Sequence, residues 1–444
     1  MYLDKFVLFF SFVSILIMNQ LDELNVITVF CVFFSLVFYV IYKTYKSKEV
    51  LNILLPSNLL VLYYSINIII GFWAYQNDYI YKLKGPGSTL THKDLSDYVF
   101  GLNVVYISLV GVLLICRKNN LISSRDFVKE KLRVKFQTVS GIKLILVFII
   151  VFLITEILSS FSNGPSGLIM VPRYSVIVLT AIYILFYHTK KKFLIYSVFV
   201  VVLMSITQLD SKREVVFVLL MLYFLRSIIF KTNIVKQFFV FGLIGVLGLY
   251  LIILLAITRG FGNFDSEGVI DSNKYIIEYV TDKENLSSIT NNLESPTVFM
   301  HCMNGSIEMK YKDPTFHMVP RLAFFFLPNS ILNFKPPSYL DEYTSFFSES
   351  IRSEGKSVTS GNLVEFLWSF SYLGIVLFIL FYRELNRYVI KLLNRSNVVL
   401  FLFISIFHVI FLRGSGLDLF IQYVVVFYVM NRLIFFYTSR KVIH

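Results

Sequence analysis

The sequence predicts an all-α polytopic membrane protein of about twelve transmembrane helices, with both termini on the cytoplasmic side and one large helical loop on the opposite face. Three observations carry this expectation. The composition is 56% hydrophobic and only 16% charged, with 46 Phe and a mean hydropathy of +0.71, more apolar surface than a soluble fold can hide. Apolar runs long enough to span, or nearly so, recur along the chain. The cations between those runs alternate by side.

The first run, 6–19, follows Lys5 as in a signal peptide, but no small-x-small cleavage site comes after it, so it reads as a retained first helix. Runs at 25–42, 51–75, 98–116, 139–158, 171–187, 193–208, 214–230 and 237–258 complete the first block, 1–258. With the N-terminus inside, the cytoplasm receives Lys43, Lys46 and Lys48, the cluster from Arg117 to Lys135, Lys190 to Lys192, and Lys231 with Lys236. The last block, 361–444, holds runs at 361–381, 397–412 and 417–437, with Arg383 to Arg395 and Arg440 on the same inner side. The net charge of +13 is therefore a topological signal and argues against nucleic acid as a partner.

Between the blocks lies 259–360, a loop with nine Lys/Arg against thirteen Asp/Glu, too long to obey the positive-inside bias. Ser295-Pro296 reads as a helix start, and Ser338 three residues before Asp341 reads as a capping box. Tyr339, Tyr343, Phe347 and Ile351 fall at steps of four, the pattern of an amphipathic helix suited to lie on the outer leaflet. The segment His317 to Tyr343 is greasy but broken by Pro328 and bracketed by Arg321 and Lys335, so it reads as an interfacial or re-entrant hairpin.

Cys31 and Cys116 sit in apolar runs and Cys302 stands alone in the loop, so no intrachain disulfide is expected. There is no G-x-x-x-x-G-K-S/T, no G-x-S-x-G, no H-E-x-x-H and no zinc spacing, which leaves ATP-driven and zinc chemistry unsupported. No cofactor and no metal are expected. Asp265-Ser266-Glu267 is the nearest metal-like pattern, and a solvated acidic turn accounts for it more simply. No inverted repeat of broken helices marks a transporter.

Arginine at the outer boundary is the unusual feature: Arg173, Arg213, Arg259, Arg321 and Arg413. Such side chains snorkel to headgroups, yet short external loops are poor in Arg, so retained cations call for a partner. A guanidinium binds phosphate oxygens bidentately, and several at headgroup depth suit a lipid-linked pyrophosphate. Lys335 is a further candidate of the same kind. His317 is read either as an interfacial His bonded to backbone or as a ligand or base for an acceptor hydroxyl. It shares a face with Arg321 if Pro320 leaves the turn intact. Glu365 and Asp418, each about one turn inside an apolar run, read as functional groups or as structural partners of an Arg. Phe366, Trp368 and Phe370 are packing residues or a platform for a sugar face.

A basic "SKRE" opening the eighth run, an Arg-Gly closing the ninth, "PRLAFFFLPNSILNFKPP" and "GKSVTSGNLVEFLWSFSYLG" together resemble the oligosaccharide repeat-unit polymerases, the O-antigen polymerases of the Wzy type. The resemblance covers topology along the whole chain and motif from about Lys212 to Gly374. The family often shows Phe-Gly just before the final Gly, where this chain has Ser371-Tyr372-Leu373-Gly374. It implies a GT-C-like, inverting, metal-independent glycosyltransferase of lipopolysaccharide biosynthesis in the bacterial inner membrane, active on the periplasmic side. The substrates implied are two undecaprenyl-diphosphate-linked oligosaccharides, one donor and one acceptor, with membrane lipid around them and a chain-length regulator as a further candidate partner. Arg213, Arg259, Arg321 and Arg413 would hold the pyrophosphate, His317 or Glu365 would serve as base, and Arg173, Lys335 and Asp418 are additional candidates. An O-antigen ligase shares this topology and donor, and a lipid-linked oligosaccharide flippase is the rival from another class.

Overall fold

A computed structural model describes residues 26–47, 49–76, 95–118, 141–161, 294–309, 313–324, 336–347, 360–395, 397–413 and 416–438, with isolated positions elsewhere. Every regular element among the described residues is helical. In chain order they are α1 (Val26–Lys46), a short 3-10 helix (Val50–Leu54), α2 (Pro56–Gln76), α3 (Leu95–Ile115), α4 (Gly141–Phe161), α5 (Glu294–Glu308), α6 (Met318–Ala323), α7 (Tyr339–Phe347), α8 (Asn362–Phe370), α9 (Tyr372–Asn394), α10 (Val398–Leu412) and α11 (Leu417–Thr438). Within α1, α2, α3 and α11 lie 4 segments long and apolar enough to cross a membrane.

Apolar side chains left outside the bundle fall in stripes, as they should where lipid replaces water. On α1, Ile27, Phe30, Phe34, Phe38 and Ile41 are exposed while Val29, Phe33, Leu36 and Val40 are buried. On α4, Leu146, Ile150, Leu153, Ile154 and Ile157 form the corresponding outer face. Helix α10 differs, being apolar but for Ser405 and His408 and buried along most of its length. At 1.5 Å per residue its 15 residues reach only about 22 Å, short of the roughly 30 Å hydrocarbon core, and it packs against α2, α9 and α11.

Two elements differ from the sequence expectation. The run 361–381, expected as one span, is two helices, because Ser371 takes a positive φ of 51° and ends α8. The helix after Ser338 forms, and Ser338 Oγ accepts from Asp341 N–H at 3.0 Å as a capping residue should. Its Tyr339 and Tyr343, however, are buried against protein and not laid on lipid, since His301, His317 and Trp368 offer them rings.

Helix α5, from the long loop, packs against α2, α3 and α8. Phe299 meets the Phe72 ring edge-on at 5.9 Å. Gly305 brings the α5 backbone hard against α8, since a Cβ there would sit 2.2 Å from Val364 Cγ1. A buried polar chain ties the helices together: Tyr64 Oη donates to Asn362 Oδ1 (2.9 Å), Asn362 Nδ2 donates to Tyr382 Oη (2.6 Å), and Tyr382 Oη lies 2.9 Å from His408 Nε2. Inside a bilayer such groups need each other, because no water is there to satisfy them.

Candidate functional site

The predicted site residues that the structure describes lie at one end of the bundle, where α6, α8 and the start of α11 meet. His317 is the N-cap of α6, and Arg321 N–H donates to the His317 carbonyl at 3.4 Å, so the turn closes through Pro320. Proline is tolerated there because the first helical N–H groups lack intrahelical acceptors anyway. Arg321 is thereby aimed at α11. Its Nε and Nη2 donate to Asp418 Oδ2 at 2.8 and 2.6 Å, and Nη1 donates to the Pro336 carbonyl at 2.6 Å. The Arg321 side chain is 12% exposed and that of Asp418 9%. A guanidinium carries five N–H groups. Two of them keep no acceptor among the described residues.

Glu365 faces the same helix end. Both its carboxyl oxygens lie 3.0 Å from Leu417 N, which places an acceptor on an amide that α11 cannot satisfy internally. Glu365 therefore caps α11 from a distance, while Asp418, the next residue, holds Arg321. The Arg413 carbonyl accepts from Gly361 N–H at 3.2 Å, which brings the end of α10 to the start of α8. Arg173, Arg213, Arg259 and Lys335 lie outside the described residues, as does Asp265-Ser266-Glu267.

His317 sits one turn of α8 away from Glu365, through Ser369. Phe316 N–H donates to the Ser369 carbonyl at 2.9 Å and fixes the approach. His317 Nδ1 lies 2.8 Å from Thr315 Oγ1 and 3.1 Å from Ser369 Oγ. The Thr315 hydroxyl donates to the Trp368 carbonyl at 3.3 Å, so its oxygen is an acceptor for an Nδ1–H, a tautomer that leaves the lone pair on Nε2. The ring stacks on Tyr339 with centroids 5.9 Å apart. Glu342 Oε2 lies 3.9 Å from Nδ1, and Glu342 Oε1 accepts from Trp368 Nε1 at 2.9 Å. Trp368 is a buried packing residue here, edge-on to Tyr343 and Phe346.

Behind this layer, Tyr343 Oη lies 3.2 Å from His301 Nδ1. Burial pushes the His301 ring down to about 3, so it stays neutral at ordinary pH. The Tyr339 and Tyr343 hydroxyls are raised above their usual range by the same cause and remain protonated donors.

Sequence reasoning missed Glu342, Thr315 and Ser369. Glu342 stands beside Asp341 in a first helical turn, where an acid is expected for the helix dipole alone, and no spacing rule ties it to Trp368. No protein-family profile, no curated protein and no solved structure matches the chain.

Proposed function

We propose that the chain is an O-antigen polymerase of the Wzy type, a GT-C-like enzyme of about twelve spans whose site faces the periplasm of a bacterial inner membrane. The observation that carries this reading is Arg321: a guanidinium oriented by Asp418 and Pro336, with two N–H groups that have no acceptor among the described residues, at one end of an apolar helical bundle. Such a group suits a lipid-linked pyrophosphate, whose departure needs fixed positive charge more than protonation. Arg213, Arg259 and Arg413 would complete the clamp, with Arg173 and Lys335 as outer contacts.

In the proposed reaction an acceptor hydroxyl attacks the anomeric carbon of the donor glycan. The bond to the pyrophosphate oxygen breaks with inversion, and undecaprenyl diphosphate leaves with the bonding pair. The hydroxyl proton passes to His317 Nε2, the ring nitrogen that is the acceptor when Nδ1–H donates to Thr315 Oγ1. Glu365 is assigned to positioning, because both its oxygens already accept from Leu417 N–H. Both substrates are anchored in one bilayer, so weak sugar contacts suffice at the resulting effective concentration.

The test is incubation of the purified full chain with undecaprenyl-diphosphate-linked repeat units alone. A ladder of polymer lengths is the expected product. Transfer only to a lipid A core acceptor would assign a ligase, and movement across liposomes without new bonds would assign a flippase.

A further inference from the structure

We propose that a cavity between α3 and α9, at the end of the bundle opposite Arg321, is a binding site for the headgroup of an anionic glycerophospholipid. The cavity is about 580 Å³ and lies between the last turns of α3 and the middle of α9. Its rim carries Arg117, Lys118, Arg383 and Arg387, and its wall carries Gly111 and Ile379. From Tyr372, at the start of α9, to Arg383 is about 17 Å at 1.5 Å per residue, so the cavity is separate from the site described above.

Among the described residues this charge is not neutralised. Arg383 Nε and Arg387 Nη1 donate to the same oxygen, Glu384 Oε1, at 2.7 and 3.0 Å, so one exposed carboxylate serves two guanidinium groups. Arg117 and Lys118 are exposed and have no acidic partner among the described residues. Among the described residues, four cations against one carboxylate at a single rim make a site for an anion.

The layout names the kind of anion. Ile379, Arg383 and Arg387 stand at successive steps of four on α9, so one helix face passes from apolar to cationic within two turns. On the other wall the same change runs from Gly111 on α3 to Arg117 and Lys118 in the turn that follows it. Gly111 lets α9 approach closely: a Cβ there would lie 2.3 Å from Ile379 Cδ1, so Ile379 packs directly on the α3 backbone at the apolar wall. A free phosphate would use the rim and gain nothing from the wall. A phosphodiester joined to acyl chains uses both, and basic pockets between spanning helices take such headgroups.

The full chain, purified in a neutral detergent, is tested by native mass spectrometry with phosphatidylglycerol and phosphatidylcholine of identical acyl chains. We expect phosphatidylglycerol adducts to be favoured roughly tenfold, from the pull of several cations on one headgroup. The preference should vanish in Arg117→Gln/Arg383→Gln/Arg387→Gln and survive in Lys391→Gln, outside the cavity on the same helix. Lys118→Gln, an exposed and milder change, should weaken it and serves if the triple variant does not fold. Equal adducts for the two lipids, a preference that survives both variants, or its abolition by millimolar inorganic phosphate would each overturn the proposal.

Discussion

Arg321 and Asp418, 97 residues apart in sequence, meet through two N–H donors on a single carboxylate oxygen, Nε at 2.8 Å and Nη2 at 2.6 Å. A bond of this kind holds the guanidinium plane as well as its charge. Lysine can supply the charge but not the plane, so Arg321→Lys should insert and fold yet fall short in function. We expect cells carrying it to make mostly single repeat units, with a loss of activity of roughly 10² for a misplaced charge-stabilising donor. An unchanged ladder of lengths in this variant would remove the guanidinium from the proposed pyrophosphate site.

Removing one partner of the pair is a different matter from replacing it. Arg321→Ala leaves Asp418, 9% exposed, with an uncompensated charge, and should cost about 3 kcal/mol. Arg321→Ala/Asp418→Asn should recover part of that loss. A double-mutant cycle on thermal unfolding in detergent measures the coupling, and a coupling near zero would show that the pair is not formed in solution.

Glu365 distinguishes positioning from proton transfer. In Glu365→Gln the amide oxygen still accepts from Leu417 N–H, whereas Glu365→Ala strands that buried donor at a cost of about 1–3 kcal/mol. If Glu365 positions α11, Gln retains most of the turnover and Ala loses stability and turnover together. If it takes the proton, both variants are equally dead and Gln keeps normal stability. Thermal unfolding and polymer yield, measured side by side, separate the two outcomes.

How far the sequence revealed this site depends on how far apart its partners lie. The Ser338 cap is a local contact, three residues long, and was legible. The bond from Arg321 N–H to the His317 carbonyl through Pro320 is local too, and the sequence posed it as a question with two answers. Asp418 and Glu365 stood out because ionisable groups inside apolar runs are rare, and an Arg was an expected partner of each; Asp418 has one in Arg321, whereas Glu365 meets Leu417 N–H, an amide that carries no signal in a side-chain pattern. Helix α5 was legible as a helix start near Ser295 and not as a core element. Its burial depends on Phe72, Gly101 and Val364, each far away in sequence.

His301, on that helix, makes the fold sensitive to acid. Burial holds its folded value at about 3 against 6.5 in an ordinary environment, so between these the unfolded chain binds more protons than the folded one. Stability contributed by the neutral ring is therefore complete above about pH 6.5 and is lost as pH falls towards 3. We expect the unfolding temperature in detergent to drop between pH 7 and pH 5, by the equivalent of about 1–2 kcal/mol. His301→Gln, which does not titrate, should show a flatter dependence over that interval, and an identical slope would assign the effect to other groups.

The break between α8 and α9 was hidden because Ser371 carries no helix-breaking signal, and the apolar run continues on both sides of it. What the break requires is written at Gly374. A Cβ there would lie 2.3 Å from the Phe366 carbonyl oxygen and 2.6 Å from its carbon, so α9 starts in backbone contact with α8. Backbone cannot step aside as a side chain can, and Gly374→Ala should cost about 1–3 kcal/mol through the shift it forces. That shift would move α8, and with it the Ser369 contact to His317 and the Glu365 contact to Leu417. We expect Gly374→Ala to lower polymer yield more than its unfolding temperature accounts for. The control is Leu373→Ala, next to it but exposed, which should leave both close to wild type. Equal losses in the two variants would mean that the α8–α9 contact does not govern the site.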